Sequence, residues 1–477
     1  MRFLPLRKFV CSSSNIKYKT DKSLEIAQYF KDLDWNILEK SLLLRGISNN
    51  ISHIRKLVKN IGSANDNDLK QLKDELLKLP NYVHPRVWNY GSEVKEILRF
   101  NPENVNKEDY LEFSEMCKNL NIFRMDHLGN YTGHKSYYLL GKLAEMEQAL
   151  IQLSIDVLKE NGFNLLSVPD ILPKDIIEGC GMQTDGDRTQ VYKIESGKCL
   201  SGTAEMAIAG FFSNRILKEN ELPIKCAAVS RCYRAETSGL NEEKGIYRVH
   251  QFTKVEMFTV CSQNQSEHML ESFKDLEMDL FKKLNLNFRL LDMPPTELGA
   301  SAYQKYDIES WMPGRKLWGE ISSCSNCTDY QSKRLNIKYI ANNGDVLYAH
   351  TVNGTASAIP RLLISLIESN QVDKSTVKLP DILLNYMRKS NVSKERNIPE
   401  IKLDAYNQAL VKRCIYVNSY RILCNIDIFL RYKSNDTCNN LIKYQRITIF
   451  SFNNLLLNYY FSILKYIRMT IFSISSF

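Results

Sequence analysis

Missing from the chain's apolar C-terminal end is any uninterrupted run long enough to cross a bilayer. A spanning helix needs about 20 apolar residues, and in RITIFSFNNLLLNYYFSILKYIRMTIFSISSF every such window is broken by Asn453, Asn454, Asn458, Lys465 or Arg468. No membrane association is expected. Phosphate-cradling glycine loops are missing too: the 20 glycines form neither a Rossmann fingerprint nor a P-loop, which sets aside the nucleotide-binding folds built on them. Histidine is sparse, with 7 residues at positions 53, 84, 127, 134, 250, 268 and 350 in no zinc-ligand pattern. The 12 cysteines are scattered except for Cys324 and Cys327, and no second pair follows at zinc-finger spacing. Packed or free thiols in a reducing compartment are expected, and no zinc.

What is present is ordinary in bulk. The 477 residues suffice for two or three domains, and 44% hydrophobic with 25% charged residues is typical of a globular chain. The net charge of +9 is concentrated at the ends. Residues 1–20 carry Arg2, Arg7, Lys8, Lys17 and Lys19 without one acid, and residues 391–477 carry twelve bases against five acids, which leaves the body at −3. Overall basicity therefore argues for no nucleic-acid partner; a basic surface must be local. The basic, serine-containing, acid-free leader fits a mitochondrial transit peptide better than a secretory signal. Residues 391–477, dense in Asn, Ile, Tyr, Ser and Phe, form a biased extension to which no function is assigned.

Helical periodicity appears early. In LKQLKDELLKL, Leu69, Leu72, Leu76 and Leu79 make one stripe that Pro80 ends, and WNILEKSLLLRGISNNISHIRKLVKNI precedes it, so two antiparallel helices are predicted over 21–100. Further on, Leu143, Met146, Leu150, Leu153 and Val157 mark a helix closed by Gly162, followed by a strand-like run at 165–168 that ends at Pro169. From there to about 360, short helices alternate with β-like runs, an α+β pattern with antiparallel strands.

The stretch CYRAETSGLNEEKGIYRVHQFTKVEMF is the most unusual. Side chains two apart in a strand share a face, which gathers Arg234 with Glu236, and Arg248, His250, Phe252, Lys254 and Glu256 together, while Val249, Val255 and Met257 face away. The polar segment 237–245 between the runs reads as a long hairpin loop. Guanidinium groups beside an aromatic suit a polyanion that carries a base; a sheet laced with cross-strand ion pairs is the plainer alternative. Three more segments resemble parts of a site. LSGTAEMAIAG sets Thr203 and Glu205 among small residues, where a helix cap would also use them. GEISSCSNCTDYQSKR sets Glu320 three residues before Ser323, both oxygen donors of the kind Mg²⁺ prefers. HTVNGTASAIPRLLISLIE runs through Thr355 and Pro360 into a helix with Arg361 in its first turn.

In this order and spacing, the segments from about 80 to 385 resemble a class II aminoacyl-tRNA synthetase, specifically the mitochondrial kind of seryl-tRNA synthetase. The resemblance implies an α+β fold: an antiparallel sheet flanked by helices, with an N-terminal two-helix, coiled-coil-like arm. It implies a transit peptide at 1–20, a tRNA-binding arm at 21–100 and a catalytic domain at 115–390, with the helix and strand of 143–169 building a homodimer interface. It further implies that Arg234 holds the α-phosphate, Glu236 contacts the adenine, Phe252 stacks beneath it, and Arg248 and Arg361 grip the outer phosphates. Glu320 and Ser323 would hold Mg²⁺, and Thr203, Glu205, Glu256 and Thr355 would line a serine pocket, with Arg234 and Arg361 as the catalytic pair.

The activity implied is activation of L-serine by ATP and transfer to tRNA(Ser) in the mitochondrial matrix. The arm departs from the family pattern: its helices are short, and 21–100 holds thirteen bases against eleven acids, which makes a long reach to a tRNA variable arm doubtful. Two rivals remain. A catalytically inactive paralogue binding RNA or protein would be expected to lose Arg234, Glu320 or Arg361, all of which are present. A threonine or proline enzyme could share the core, and the threonine version would be expected to show zinc ligands.

Overall fold

The charged runs pair as strands of one large sheet. In the computed structural model its members are Lys95–Phe100 (β1), Asn164–Leu166 (β2), Ile224–Tyr233 (β3), Gln251–Cys261 (β4), Phe288–Asp292 (β5), Gln304–Met312 (β6), Leu317–Thr328 (β7) and His350–Ala358 (β8). Their order across the sheet is β1-β5-β6-β7-β8-β4-β3-β2. Neighbours run antiparallel except β2, which lies parallel to the outer side of β3. The structure describes residues 33–47, 51–59, 67, 72, 75, 76, 78–101, 110–125, 132–186, 189–236, 245–387 and 391–398, all within the first of two units, Met1–Ile401. The leader at 1–20 and nearly all of the C-terminal extension lie outside the described residues. Within 391–398, Val392 pairs with Val377, and the Glu395 N–H donates to the Leu120 carbonyl at 2.8 Å.

The period-two pattern of β4 determines which side of the sheet is core. Val255 and Met257 point into one cluster with the helix Lys142–Glu160 and the helix Ile359–Ser369. The predicted stripe Leu143, Met146, Leu150, Leu153 and Val157 supplies that cluster from the first helix, and Leu362, Leu363, Leu366 and Ile367 supply it from the second. Gly162, at φ +80°, takes the left-handed conformation that ends the first helix without a Cβ penalty. Phe252, Lys254 and Glu256 alternate to the other face.

The N-terminal segment is more broken than its periodicity predicts. Trp35–Leu44 is one helix, with Asp34 accepting the Asn36 and Ile37 N–H groups as its cap, and Ile51–Lys59 is another. Between them Gly46 adopts φ +69°, a turn that helical spacing does not reveal. Leu72, Leu76 and Leu79 close a small separate core with Leu38, Leu42 and Ile54, while Leu69 lies outside the described residues. Arg45 ties this bundle to the body, donating to the carbonyls of Leu298 at 3.0 Å and Ala302 at 2.6 Å. Lys95–Phe100, at the end of the same sequence region, is the edge strand of the large sheet.

Candidate active site

Three strand ends and one helix start surround a cleft of roughly 710 Å³ on the polar face of the sheet. Its walls include Arg234, Glu236, Arg248, Phe252, Glu320, Ser323, Thr355 and Arg361, so eight of the candidate residues read from separate segments meet in one place. Thr203, Glu205 and Glu256 lie below that lining as a connected layer. Thr203 caps the helix Ala204–Phe212, its Oγ1 accepting the Glu205 N–H, and the same hydroxyl donates to Glu256 Oε2 at 3.0 Å. The capping reading of this threonine is met, and the same hydroxyl is also tied to Glu256.

The hairpin departs from ideal strands where it becomes the cleft. β3 ends at Tyr233, and Glu236 stands at φ +35°, a left-handed conformation unfavourable for a residue with a side chain. It is held there by its N–H donating to Gln190 Oε1 at 2.9 Å and by its carbonyl accepting Lys135 Nζ at 3.0 Å. On the return, Gly245–Tyr247 forms a 3₁₀ turn and β4 begins only at Gln251, so Arg248 reaches the cleft from a turn. His250, grouped with that face by alternation, instead bonds the Tyr192 hydroxyl at 2.7 Å through Nδ1. The loop at 237–244 lies outside the described residues.

Charges in the cleft are arranged in pairs. Arg361 Nη1 sits 3.2 Å from Glu320 Oε2 and donates to the Glu320 carbonyl at 3.0 Å; Arg248 Nη1 is 3.6 Å from Glu236 Oε2; Lys254 pairs with Glu256. The Arg234 guanidinium lies 5.3 Å from the centre of the Phe252 ring, and its Nε donates to the Gly202 carbonyl at 3.4 Å. Burial would raise the Glu320 carboxyl, but Arg361, then Lys305 and Arg234, outweigh it and hold it at about 2. The deeper acids go the other way. Burial, then the neighbouring Glu256, lifts Glu205 to about 6 against Lys254 and Gln331, and burial raises Glu256 despite Lys254 and Thr203.

Several participants carried no sequence assignment. Lys254 was grouped on the correct face by alternation yet given no role. Gln331 donates through Nε2 to Glu205 Oε1 at 2.5 Å and accepts from Thr351 Oγ1 at 2.8 Å. Its position in the short helix Tyr330–Leu335 is 126 residues from Glu205, so no local pattern could couple the two. Tyr247 also lines the cleft. Cys324 and Cys327 are both buried in β7, and no group of three His, Cys, Asp or Glu that could hold a metal ion occurs among the described residues.

Comparisons with known proteins point one way. The family model described as tRNA synthetase class II core domain (G, H, P, S and T) matches residues 192–370. The mitochondrial serine–tRNA ligase of Mus musculus is 40% identical over 340 residues, covering 69% of this chain and 65% of that protein, just under two thirds of its length. The serine–tRNA ligase of Borrelia garinii subsp. bavariensis is 35% identical over 401 residues, covering 80% of this chain and 93% of that protein. Among solved structures, seryl-tRNA synthetase from Pyrococcus horikoshii complexed with ATP aligns with a TM-score of 0.65 at 28% identity, covering 79% of this chain and 91% of that one.

Proposed function

The chain belongs to the class II aminoacyl-tRNA synthetases, in the serine–tRNA ligase family, and on that premise we propose that it activates L-serine with ATP and transfers it to mitochondrial tRNA(Ser). The observation that carries this reading is the convergence of Arg234, Glu236, Arg248, Phe252, Glu320, Ser323, Thr355 and Arg361 on one cleft. The family model covers glycine, histidine, proline, serine and threonine enzymes alike, so serine is favoured by the curated relatives. The mitochondrial relatives favour the mitochondrion, with the matrix as the working compartment and residues 1–20 as the address.

On this reading the serine carboxylate attacks the α-phosphorus of ATP, pyrophosphate leaves, and the terminal ribose hydroxyl of the tRNA then takes the seryl group from the adenylate, releasing AMP. No side-chain nucleophile is needed. The work is alignment and neutralisation of charge. Arg234, stacked beside Phe252, would meet the α-phosphate, with Phe252 under the adenine and Glu236 at its edge. Arg248 and Arg361 would take the outer phosphates. Glu320 and Ser323 fit Mg²⁺: both are hard oxygen donors in the cleft wall, and the Glu320 carboxyl is held well below the ordinary range, hence anionic. Bound there, the ion would neutralise phosphate charge.

Glu205, Glu256, Thr203 and Thr355 would receive the serine ammonium and hydroxyl. A buried site that hydrogen-bonds the hydroxyl can reject alanine by about 10⁴ to 10⁵, since the partner is otherwise left unpaired. The helices of 21–100 would contact tRNA, and the chain would act as a homodimer. The deciding experiment is amino-acid-dependent ATP–pyrophosphate exchange by the full-length protein with serine, threonine, alanine and proline, followed by charging of tRNA(Ser). Exchange with serine alone is expected. A folded protein that exchanges with none of the four would refute the enzyme and leave the inactive paralogue.

A further inference from the structure

Tyr247, a residue of the cleft wall, touches both sides of the Arg361–Glu320 pair in several ways at once. The Arg361 guanidinium lies 4.5 Å from the centre of the Tyr247 ring, and Arg361 Nε donates to the Tyr247 carbonyl at 3.3 Å. At the other end of the side chain, the phenolic oxygen accepts the Glu320 N–H at 3.1 Å. A second guanidinium, Arg315, lies 5.4 Å from the same ring. The ring is also fitted against the strand that carries Glu320: a Cβ on Gly319 would come within 3.0 Å of Tyr247 Cε2. Ile246, fully buried next door, anchors the 3₁₀ turn in the core.

We propose that Tyr247 is a positioning residue for the triphosphate, holding Arg361 and the Glu320 backbone in the mutual geometry that grips the outer phosphates of ATP. The inference deepens the proposed function and rests on it. Arg361 has many rotamers and its guanidinium could fold back onto solvent; the ring below and the carbonyl beside it select one direction. At the far end of the ring the phenolic oxygen accepts the Glu320 N–H at 3.1 Å, which fixes the backbone beside the Glu320 carbonyl that receives Arg361 Nη1. None of these contacts reaches the layer of Thr203, Glu205 and Glu256, so serine recognition is left out of the effect.

The test uses full-length protein with Tyr247→Leu and Tyr247→Phe. ATP affinity is measured calorimetrically with Mg²⁺ and no serine, and KM for serine by pyrophosphate exchange. The leucine variant, which removes stack and acceptor together, is expected to weaken ATP by about tenfold, and the phenylalanine variant by about threefold, with KM for serine within about twofold. Wild-type ATP affinity in the phenylalanine variant overturns the inference, as does loss of ATP and serine affinity in parallel. Should the leucine variant fail to fold, the phenylalanine variant alone decides. A wild-type protein that binds ATP yet exchanges with no amino acid refutes the proposed function while leaving the Tyr247 comparison readable; one that binds no ATP overturns both.

Discussion

Replacing Glu277 by glutamine should change how stability depends on pH. Glu277 lies on the helix Ser266–Lys283, is 1% exposed, and presses against the core side of the sheet, where a Cβ on Gly354 would come within 2.7 Å of its Oε1. Neither carboxyl oxygen meets a hydrogen-bond donor in good geometry. Burial raises this carboxyl well above the ordinary range; the Ser322 hydroxyl and Cys324 thiol oppose that only partly, and Glu256 and Asp307 add to it. The folded protein therefore keeps a proton that the unfolded chain releases near pH 4.3. The resulting stabilisation is complete below that value and is lost as pH rises toward the folded pKa, by about 1.4 kcal/mol per pH unit. The Glu277→Gln variant has the same shape and no proton to lose, so its stability curve lacks this slope. An amide without a partner adds a constant penalty of about 1 to 3 kcal/mol, independent of pH. Other buried acids with raised values, Glu205, Asp307 and Glu368 among them, are common to both proteins and drop out of the difference. Denaturant titrations at pH 5 and pH 6 should show the variant gaining about 1.4 kcal/mol on the wild type between the two. Parallel curves would mean that the carboxyl is ionised in the native protein and would refute the reasoning.

The Arg234→Ala variant should lose serine-dependent pyrophosphate exchange by at least about a hundredfold, with its thermal midpoint within about two degrees of wild type, because the side chain sits in the open cleft. Retained exchange would remove Arg234 from the α-phosphate. For serine, kcat/KM should fall as pH drops through about 6, where Glu205 takes up a proton and can no longer face an ammonium. The Gln331→Leu variant, deprived of the bond that opposes the rise, should move this limb to higher pH while ATP affinity holds; an unmoved limb would assign the titration to another group.

Legibility followed distance along the chain. The hairpin face was readable because i and i+2 relations are local, and the stripe from Leu143 to Val157 because helix periodicity is. Where β3 gives way to the cleft was not readable: Glu236 at φ +35° depends on Gln190 and Lys135, which lie 46 and 101 residues away. Lys95–Phe100 alternates weakly, and its status as a sheet edge follows from pairing with Phe288–Asp292. Gln331 and Tyr247 escaped for a related reason. Each is placed to orient a charged neighbour, and a neutral side chain beside Arg248, or three residues before Arg334, announces no chemistry of its own.

The pairing of charges bears on how such a cleft could take up a triphosphate. Arg248 leans on Glu236 and Arg361 on Glu320, so each of the two arginines proposed for the outer phosphates already has a counter-charge within the protein. The first pair joins an Arg248 side chain that is 37% exposed to a Glu236 side chain that is only 5% exposed, so drawing the arginine away would leave a buried carboxylate to be compensated. In the second pair the enclosed member is the Arg361 side chain, 15% exposed against 38% for Glu320, and separating it leaves that carboxylate without its counter-charge. Glu320 and Ser323 would hold a divalent cation, which would supply the Glu320 carboxylate with a counter-charge and free Arg361, without moving it, for a phosphate. The proposed affinity for ATP then comes from exchanging partners between fixed groups, and it depends on Arg361 being held in place throughout by the Tyr247 ring and carbonyl.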